Sequence, residues 1–372
     1  MLILGLVLFV TALGLSAIGT AIALRLAPHL GMMDQPGQRK VHVSAKPRNG
    51  GMAIFCGIGL PLLAAIIFTP LLQQPWLAHL LPTSVIVEIP GLLAHRGLAL
   101  VLLLCTGAIH LLGLFDDHRP MAAIPKLVGQ LVIAGALVIG GEIAAPGGFR
   151  ILTLLDHLFP GGEIVSGIAS VLWVVILTNA FNFMDNMDGL SAGVAFICGL
   201  MFFLAALHAG QWFIGGLLLL YLGATLGFLF YNFPPAAIFM GDGGSMVLGF
   251  FLAALTIRTT YYHSGAKWWA IFMPLIVTAV PLYDFFVIIV IRLWRHRSPM
   301  QGDANHFSHR LTRHGFTQRG AVMVIYAVTL ASGLSAPLLA LTNNDGAILI
   351  ATQCVAILVV VGILERVGDH LI

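Results

Sequence analysis

Charge is scarce in this sequence. Only 9% of its 372 residues are Asp, Glu, Lys or Arg, where a soluble globular chain carries about 25%. So little charge excludes a soluble domain and a disordered chain alike. An excess of basic residues is missing too: a net charge of +3 over the whole length is no polyanion footprint, so no nucleic-acid partner is expected. Cysteine is sparse. Cys56, Cys105, Cys198 and Cys354 stand far apart in apolar runs, with neither metal-ligand spacing nor a secreted framework, and read as small core or lipid-facing residues. No polar stretch is long enough for a separate soluble domain, so 1–372 is read as a single integral-membrane domain.

Apolar residues supply what charge does not: 59% of the chain is hydrophobic and the mean hydropathy is +0.98. A bilayer-crossing helix needs about 20 mostly apolar residues. Runs of that kind lie near 2–24, 50–70, 97–115, 123–142, 165–182, 190–208, 212–231, 246–260, 269–293, 321–341 and 347–364. The expectation is an all-α polytopic membrane bundle of about 11 transmembrane helices, with 10 as the alternative count. The first run lacks a basic n-region and a small-residue cleavage site, and is read as a retained span. Numbering the loops alternately puts 14 Lys and Arg on one side and only Arg96, Arg150, Arg258 and Lys267 on the other. The positive-inside rule then places the N-terminus outside and the C-terminus in the cytoplasm.

The acids gather on the basic side. Asp34, Asp116, Asp117, Asp185, Asp188, Asp242 and Asp303 fall in those loops or at span ends facing them, and Asp284 lies within the ninth span. A carboxylate at the bilayer centre costs about 2.5–3.5 kcal/mol, so acids near spans face a cavity or a partner. HLLGLFDDHRP (110–120) sets two carboxylates side by side; such a pair needs a cation between its members or a proton on one. NAFNFMDNMDGLSAG (179–193) spaces Asn179, Asn182, Asp185 and Asp188 by three. On a helix that spacing makes one polar ridge suited to a hydrated cation and a nucleotide. FMGDGGSMVLGF (239–250) puts Asp242 between glycines just before a span, where backbone N–H groups can approach phosphate, with Ser245 close by. RHRSPMQGDANHFSHRLTRHGF (295–316) mixes histidine with arginine, a composition suited to a diphosphate. Acids without Cys or His ligand pairs favour Mg²⁺, or Mn²⁺, over zinc. His306 and His309 lack a third ligand at a familiar zinc spacing. A hard cation, a phosphate-binding loop and a basic loop at one membrane face point to phosphoryl transfer with a lipid substrate.

These motifs, together with DQPGQRKVHVSAKPRNGGMAIF (34–55), resemble the polyprenyl-phosphate N-acetylhexosamine-1-phosphate transferases over nearly the whole chain. The resemblance implies that Asp116 and Asp117 sit at the lipid phosphate, one of them as base. It implies that Asn182, Asp185 and Asp188 belong to a nucleotide and metal segment, that Asp242 is a Mg²⁺ ligand, and that His306 and His309 hold the diphosphate or sugar. Ser308 stands where many relatives have His, and Arg39, Lys40 and His42 resemble first-loop residues near the active site. The candidate catalytic set is therefore Asp116, Asp117, Asp188, His306 and His309. The substrate-binding set is Arg39, Lys40, His42, Asn179, Asn182, Asp185 and Arg310, and Asp242 with Asn182 form the metal set.

The implied reaction joins undecaprenyl phosphate to the sugar phosphate of a UDP-sugar and releases UMP, starting a cell-envelope polysaccharide. The implied partners are those two substrates and membrane lipids, with a homodimer compatible with them. NHFSHRLTRHGFTQRGAV (305–322) lacks three consecutive histidines, which favours GlcNAc over the phospho-MurNAc-pentapeptide alternative. A transporter is the rival from another class, but the acids gather at one face and not at the midplane. Asp185 to Gly189 also begins like a CDP-alcohol phosphotransferase signature, whose later aspartates are missing.

Overall fold

The computed structural model describes residues 2–34, 45–74, 76, 83–153, 155–259, 267–298 and 305–369. Helix α1 (Leu2–Leu26) leads to a two-residue antiparallel pair, β1 (Met33–Asp34) and β2 (Lys46–Pro47), with Met33 opposite Pro47 and Asp34 opposite Lys46. Then come α2 (Gly50–Phe68), α3 (Arg96–His118), α4 (Ala123–Ala144), α5 (Gly162–Met184), α6 (Leu190–His208), α7 (Trp212–Asn232) and α8 (Asp242–Arg258). The chain ends with α9 (Met273–Val277), α10 (Ala279–Trp294), α11 (Phe307–Arg313), α12 (Gln318–Gly333) and α13 (Asn344–Asp369). Among the described residues nine of these are long and apolar enough to cross a membrane, α1 to α7 with α12 and α13.

Two further segments complete the bundle, and each departs from its expected run. The ninth run is broken: the segment ending in α9 meets α10 at 68°. Pro281, in the first turn of α10, has no N–H to give to Val277, so one straight helix cannot run through. The eighth run starts at Asp242, four residues before the expected 246, because Gly241 turns the chain at φ +70° and the first N–H groups of α8 find acceptors at once. With 17 residues, α8 is about 25 Å long, short of the roughly 30 Å hydrocarbon core. It is buried from Gly243 to Ile257, and α2, α3 and α5 pack around it.

Small residues set how closely these helices approach, because lipid gives them no hydrophobic push together. A Cβ on Gly113 of α3 would lie 2.5 Å from backbone atoms of Asp242 and Gly243, and one on Gly51 of α2 2.2 Å from Gly244 N. The backbones of α2, α3 and α8 therefore meet where α8 begins. At the far end of the bundle, between α4 and α5, the chain forms a single helical turn, Leu155–Leu158. Arg150 clasps Glu142 at 2.9 Å and Asp156 at 2.8 Å there.

Candidate active site

Successive residues on a helix point about 100° apart, so the carboxylates of Asp116 and Asp117 diverge at the end of α3. In place of one cation shared between them, each carboxylate has a cationic partner of its own. Asp117 is buried; it accepts the N–H of Asp242 at 2.8 Å and of Gly243 at 2.9 Å, and meets Arg48 Nε at 3.0 Å. A negative charge on a helix N-terminus is favourable, and here the anion is the protein's own. This corrects the reading of the glycines around Asp242 as a phosphate cradle. The two N–H groups are taken, and Gly243 and Gly244 serve the close packing on Gly113 and Gly51. A Cβ on Gly241 would itself fall 2.5 Å from Asp117 Oδ2.

Asp116 turns toward the first turn of α4. Its Oδ1 accepts the Met121 N–H at 2.6 Å, and its Oδ2 meets Lys126 Nζ at 2.9 Å. Lys126 also bonds Asp242 Oδ2, and lies 3.4 Å from Asn182 Oδ1. The other oxygen of Asp242 faces Arg48 Nη2 at 3.3 Å, and Asn182 Nδ2 donates to Ser245 Oγ at 2.9 Å. Asp116, Asp242 and Asn182 thus bring three hard oxygens onto one ammonium, with Arg48 on the far side of Asp242. Burial alone would lower the basicity of Arg48, but Asp117 and Asp242 outweigh it and hold the guanidinium more firmly charged than usual.

The expected ridge of Asn179, Asn182, Asp185 and Asp188 is cut short because α5 ends at Met184. Asn179 is spent inside the bundle, donating to Gln130 Oε1 at 2.6 Å and Val175 O at 2.8 Å. Asp185 lies just past the helix end. Burial first, and then the nearby negative charge of Asp242, push its carboxyl up to about 8. Asp188 accepts the Ala236 N–H at 2.8 Å, with Lys46 Nζ at 3.7 Å. Gly189 then takes φ +73° to start α6.

The histidine segment docks beside this turn. Ser308 donates to Asn186 Oδ1 at 2.5 Å. His306 Nδ1 lies 2.8 Å from Asp284 Oδ2, and its ring is edge-on to Phe183 at 6.1 Å and 6.4 Å from that of His309. Arg310 is buried and paired with Glu365 Oε1 of α13 at 2.9 Å, while Tyr283 donates to Glu365 Oε2 at 2.7 Å. Arg39, Lys40 and His42 lie outside the described residues, as does Asp303.

The structure therefore brings Asp116, Asp117, Asn182, Asp185 and Asp242 together, and seats the histidine segment beside them through Ser308 on Asn186 and His306 on Phe183. It engages Asn179 and Arg310 in contacts between helices. Lys126 and Arg48 were missed as site residues, although a lone lysine four residues into an apolar run is itself a functional signal. Glu365, a single acid near the end of the last run, carried the same signal.

The chain is similar to known proteins. The glycosyl transferase family 4 pattern matches residues 99–260, the stretch from α3 through α8. A Bacillus subtilis protein named "Probable undecaprenyl-phosphate N-acetylglucosaminyl 1-phosphate transferase" is 33% identical, the match covering 89% of this chain and 83% of that protein. The chain belongs to glycosyl transferase family 4. Another family member, the decaprenyl-phosphate N-acetylglucosaminephosphotransferase of Mycobacterium tuberculosis H37Rv, is 32% identical, covering 93% of this chain and 85% of its own. The undecaprenyl-phosphate alpha-N-acetylglucosaminyl 1-phosphate transferase of Escherichia coli K12 is 26% identical, with 84% and 77% covered. Within family 4, this chain is a multi-pass membrane enzyme of the polyprenyl-phosphate N-acetylhexosamine-1-phosphate transferase group.

Proposed function

We propose that this family 4 enzyme transfers GlcNAc 1-phosphate from UDP-GlcNAc to a polyprenyl phosphate. A phosphate oxygen of the lipid forms a bond to the phosphorus that carries GlcNAc. The bond from that phosphorus to the bridging oxygen breaks, UMP leaves with the electron pair, and the polyprenyl diphosphate sugar stays in the membrane. The names of the relatives support the sugar and the lipid class. The observation that carries the reading is the centre where Asp116, Asp242 and Asn182 converge on Lys126. Phosphoryl transfer is catalysed mostly by positioning and by fixed charge at the phosphoryl oxygens, and Lys126 and Arg48 supply that charge beside the span ends.

The donor chemistry also fits Mg²⁺, with Mn²⁺ as the alternative. Among the described residues no three His, Cys, Asp or Glu side chains cluster as a metal cage. Mg²⁺ needs none when one or two carboxylates act together with substrate phosphates. Asp242 and Asn182, with Asp116 beside them, are the oxygens that would hold it, and the ion would neutralise charge on the diphosphate. Asp117, occupied by two N–H groups and Arg48, keeps Asp242 in place. Burial and the charge of Asp242 favour the protonated form of Asp185, which spares the centre a further negative charge. The excess of Lys and Arg at this end of the bundle supports a site facing the cytoplasm.

The test is UMP release by detergent-purified protein given undecaprenyl phosphate and a panel of UDP-sugars, with Mg²⁺ or with EDTA. We expect Mg²⁺-dependent release with UDP-GlcNAc, falling about 10²- to 10³-fold in Lys126→Met, the loss typical of one electrostatic donor. Release with only another UDP-sugar would move the sugar and keep the reaction. No release with any UDP-sugar from folded protein would overturn the reading.

A further inference from the structure

Asp284 is a carboxylate in the wrong place for an interfacial residue. It lies ten residues before the end of α10, about 15 Å along the helix, and is 2% exposed. A carboxylate carried into an apolar span must find partners, and both of its oxygens have one. Oδ1 accepts the Phe307 N–H at 2.7 Å, and Oδ2 lies 2.8 Å from His306 Nδ1. The helix that carries the histidines therefore reaches into the bundle to meet a residue of the broken span, its N-terminus capped by that carboxylate. Its other turn is fixed separately, through Arg310 on Glu365.

The donor and acceptor roles follow from chemistry. An ionised carboxylate can only accept, and Oδ1 already accepts from a backbone N–H. Nδ1 of His306 must therefore carry a proton. We propose that Asp284 is a positioning residue for the transfer: it fixes His306 with its proton on Nδ1, so that Nε2 is the ring atom presented to the phosphoryl oxygens of the sugar nucleotide. Nε2 donates to a phosphoryl oxygen when it too carries a proton. Phe183 edge-on to the ring, together with the fixed turns of α11, limits its rotation.

The proposal rests on the reading of the protein as a sugar-phosphate transferase, and a double-mutant cycle separates the two. Asp284→Asn keeps the shape but can offer its amide N–H to Nδ1, which reverses the ring tautomer. His306→Gln places an amide near the Nε2 position and leaves nothing for Asp284 to orient. UMP release by the wild type establishes the transfer itself. We expect Asp284→Asn to lower kcat about 10- to 100-fold, as for other residues that orient a working histidine, with the KM for UDP-GlcNAc little changed. In the His306→Gln background the same change is expected to cost less than about 3-fold, since coupled residues are not additive. Glu365→Gln, which loosens the same helix without touching the ring, controls for simple loss of packing. Equal costs of Asp284→Asn in the two backgrounds, no cost in either, or kinetics indistinguishable from those of Glu365→Gln would overturn the proposal while leaving the transferase reading intact.

Discussion

The two neighbouring aspartates of α3 have different partners, and Asp117→Asn tests whether they differ in role. Asp117 receives two backbone N–H groups at the start of α8 and the Arg48 guanidinium, and its side chain is 1% exposed. In the asparagine variant one oxygen becomes an NH₂ group that faces a donor whichever way the amide turns. One charge-assisted hydrogen bond is lost, worth about 1.5–3 kcal/mol, and the helix N-terminus loses its anion, about 0.3–1 kcal/mol more. A total near 3 kcal/mol corresponds to a fall of about 6–12 °C in the denaturation midpoint of a large domain. The assay is gel filtration of detergent-purified protein after stepwise heating, with UMP release measured on the same samples. Asp116→Asn is the comparison. Its amide oxygen keeps the Met121 N–H, Lys126 retains Asp242 and no helix N-terminus loses its anion, so the midpoint should fall by less than in Asp117→Asn while UMP release falls. An Asp117→Asn protein with an unchanged midpoint and UMP release down more than about 1000-fold would show that Asp117 acts on substrate and refute the structural assignment.

Two further outcomes follow from packing and from protonation. Gly113→Ala pushes a methyl into the backbone of Asp242 and Gly243 at 2.5 Å; it should cost about 1–3 kcal/mol and abolish UMP release, while Gly135→Ala, with nothing within 4 Å, is neutral in both assays. Asp185 carries a folded-state pKa of about 8, above its ordinary value of about 3.9. The unfolded chain therefore loses this proton first, and stability declines as pH rises from about 4 to 8. Asp185→Asn removes that term, so its midpoint should change less than that of the wild type between pH 5 and 8.5; parallel curves would show that the Asp185 carboxyl is not held protonated.

Much of this was legible in one dimension because a membrane forces it. Apolar runs of the right length announce spans, and acids gathered on one side announce a site. The departures have local causes. Pro281 breaks the ninth run, which hydropathy alone reads as one helix. The start of α8 is hidden because its first turn, DGGS, is polar and glycine-rich and helical only through a carboxylate 125 residues away. Asp116 and Asp117 read as equivalent neighbours until helical geometry sends one to α4 and the other to α8. Lys126 inside an apolar run and Glu365 at the end of another each carry a signal as lone charges, which a reading built on clustered acids passes over. Neither Arg310 nor Asn179 betrays in sequence that its polar group is taken by a neighbouring helix.

The segment before α8 is welded to the end of the first loop by three main-chain bonds. Phe239 N–H goes to Pro47 O at 2.8 Å, Gly50 N–H to Phe239 O at 3.0 Å, and Gly51 N–H to Met240 O at 2.8 Å. None of these bonds depends on which side chains the partners carry. Arg48 and Asp242 thus stand on one shared frame. The side chains along this seam can be exchanged without breaking it, so the spacing between the guanidinium and the carboxylate is held by the backbone.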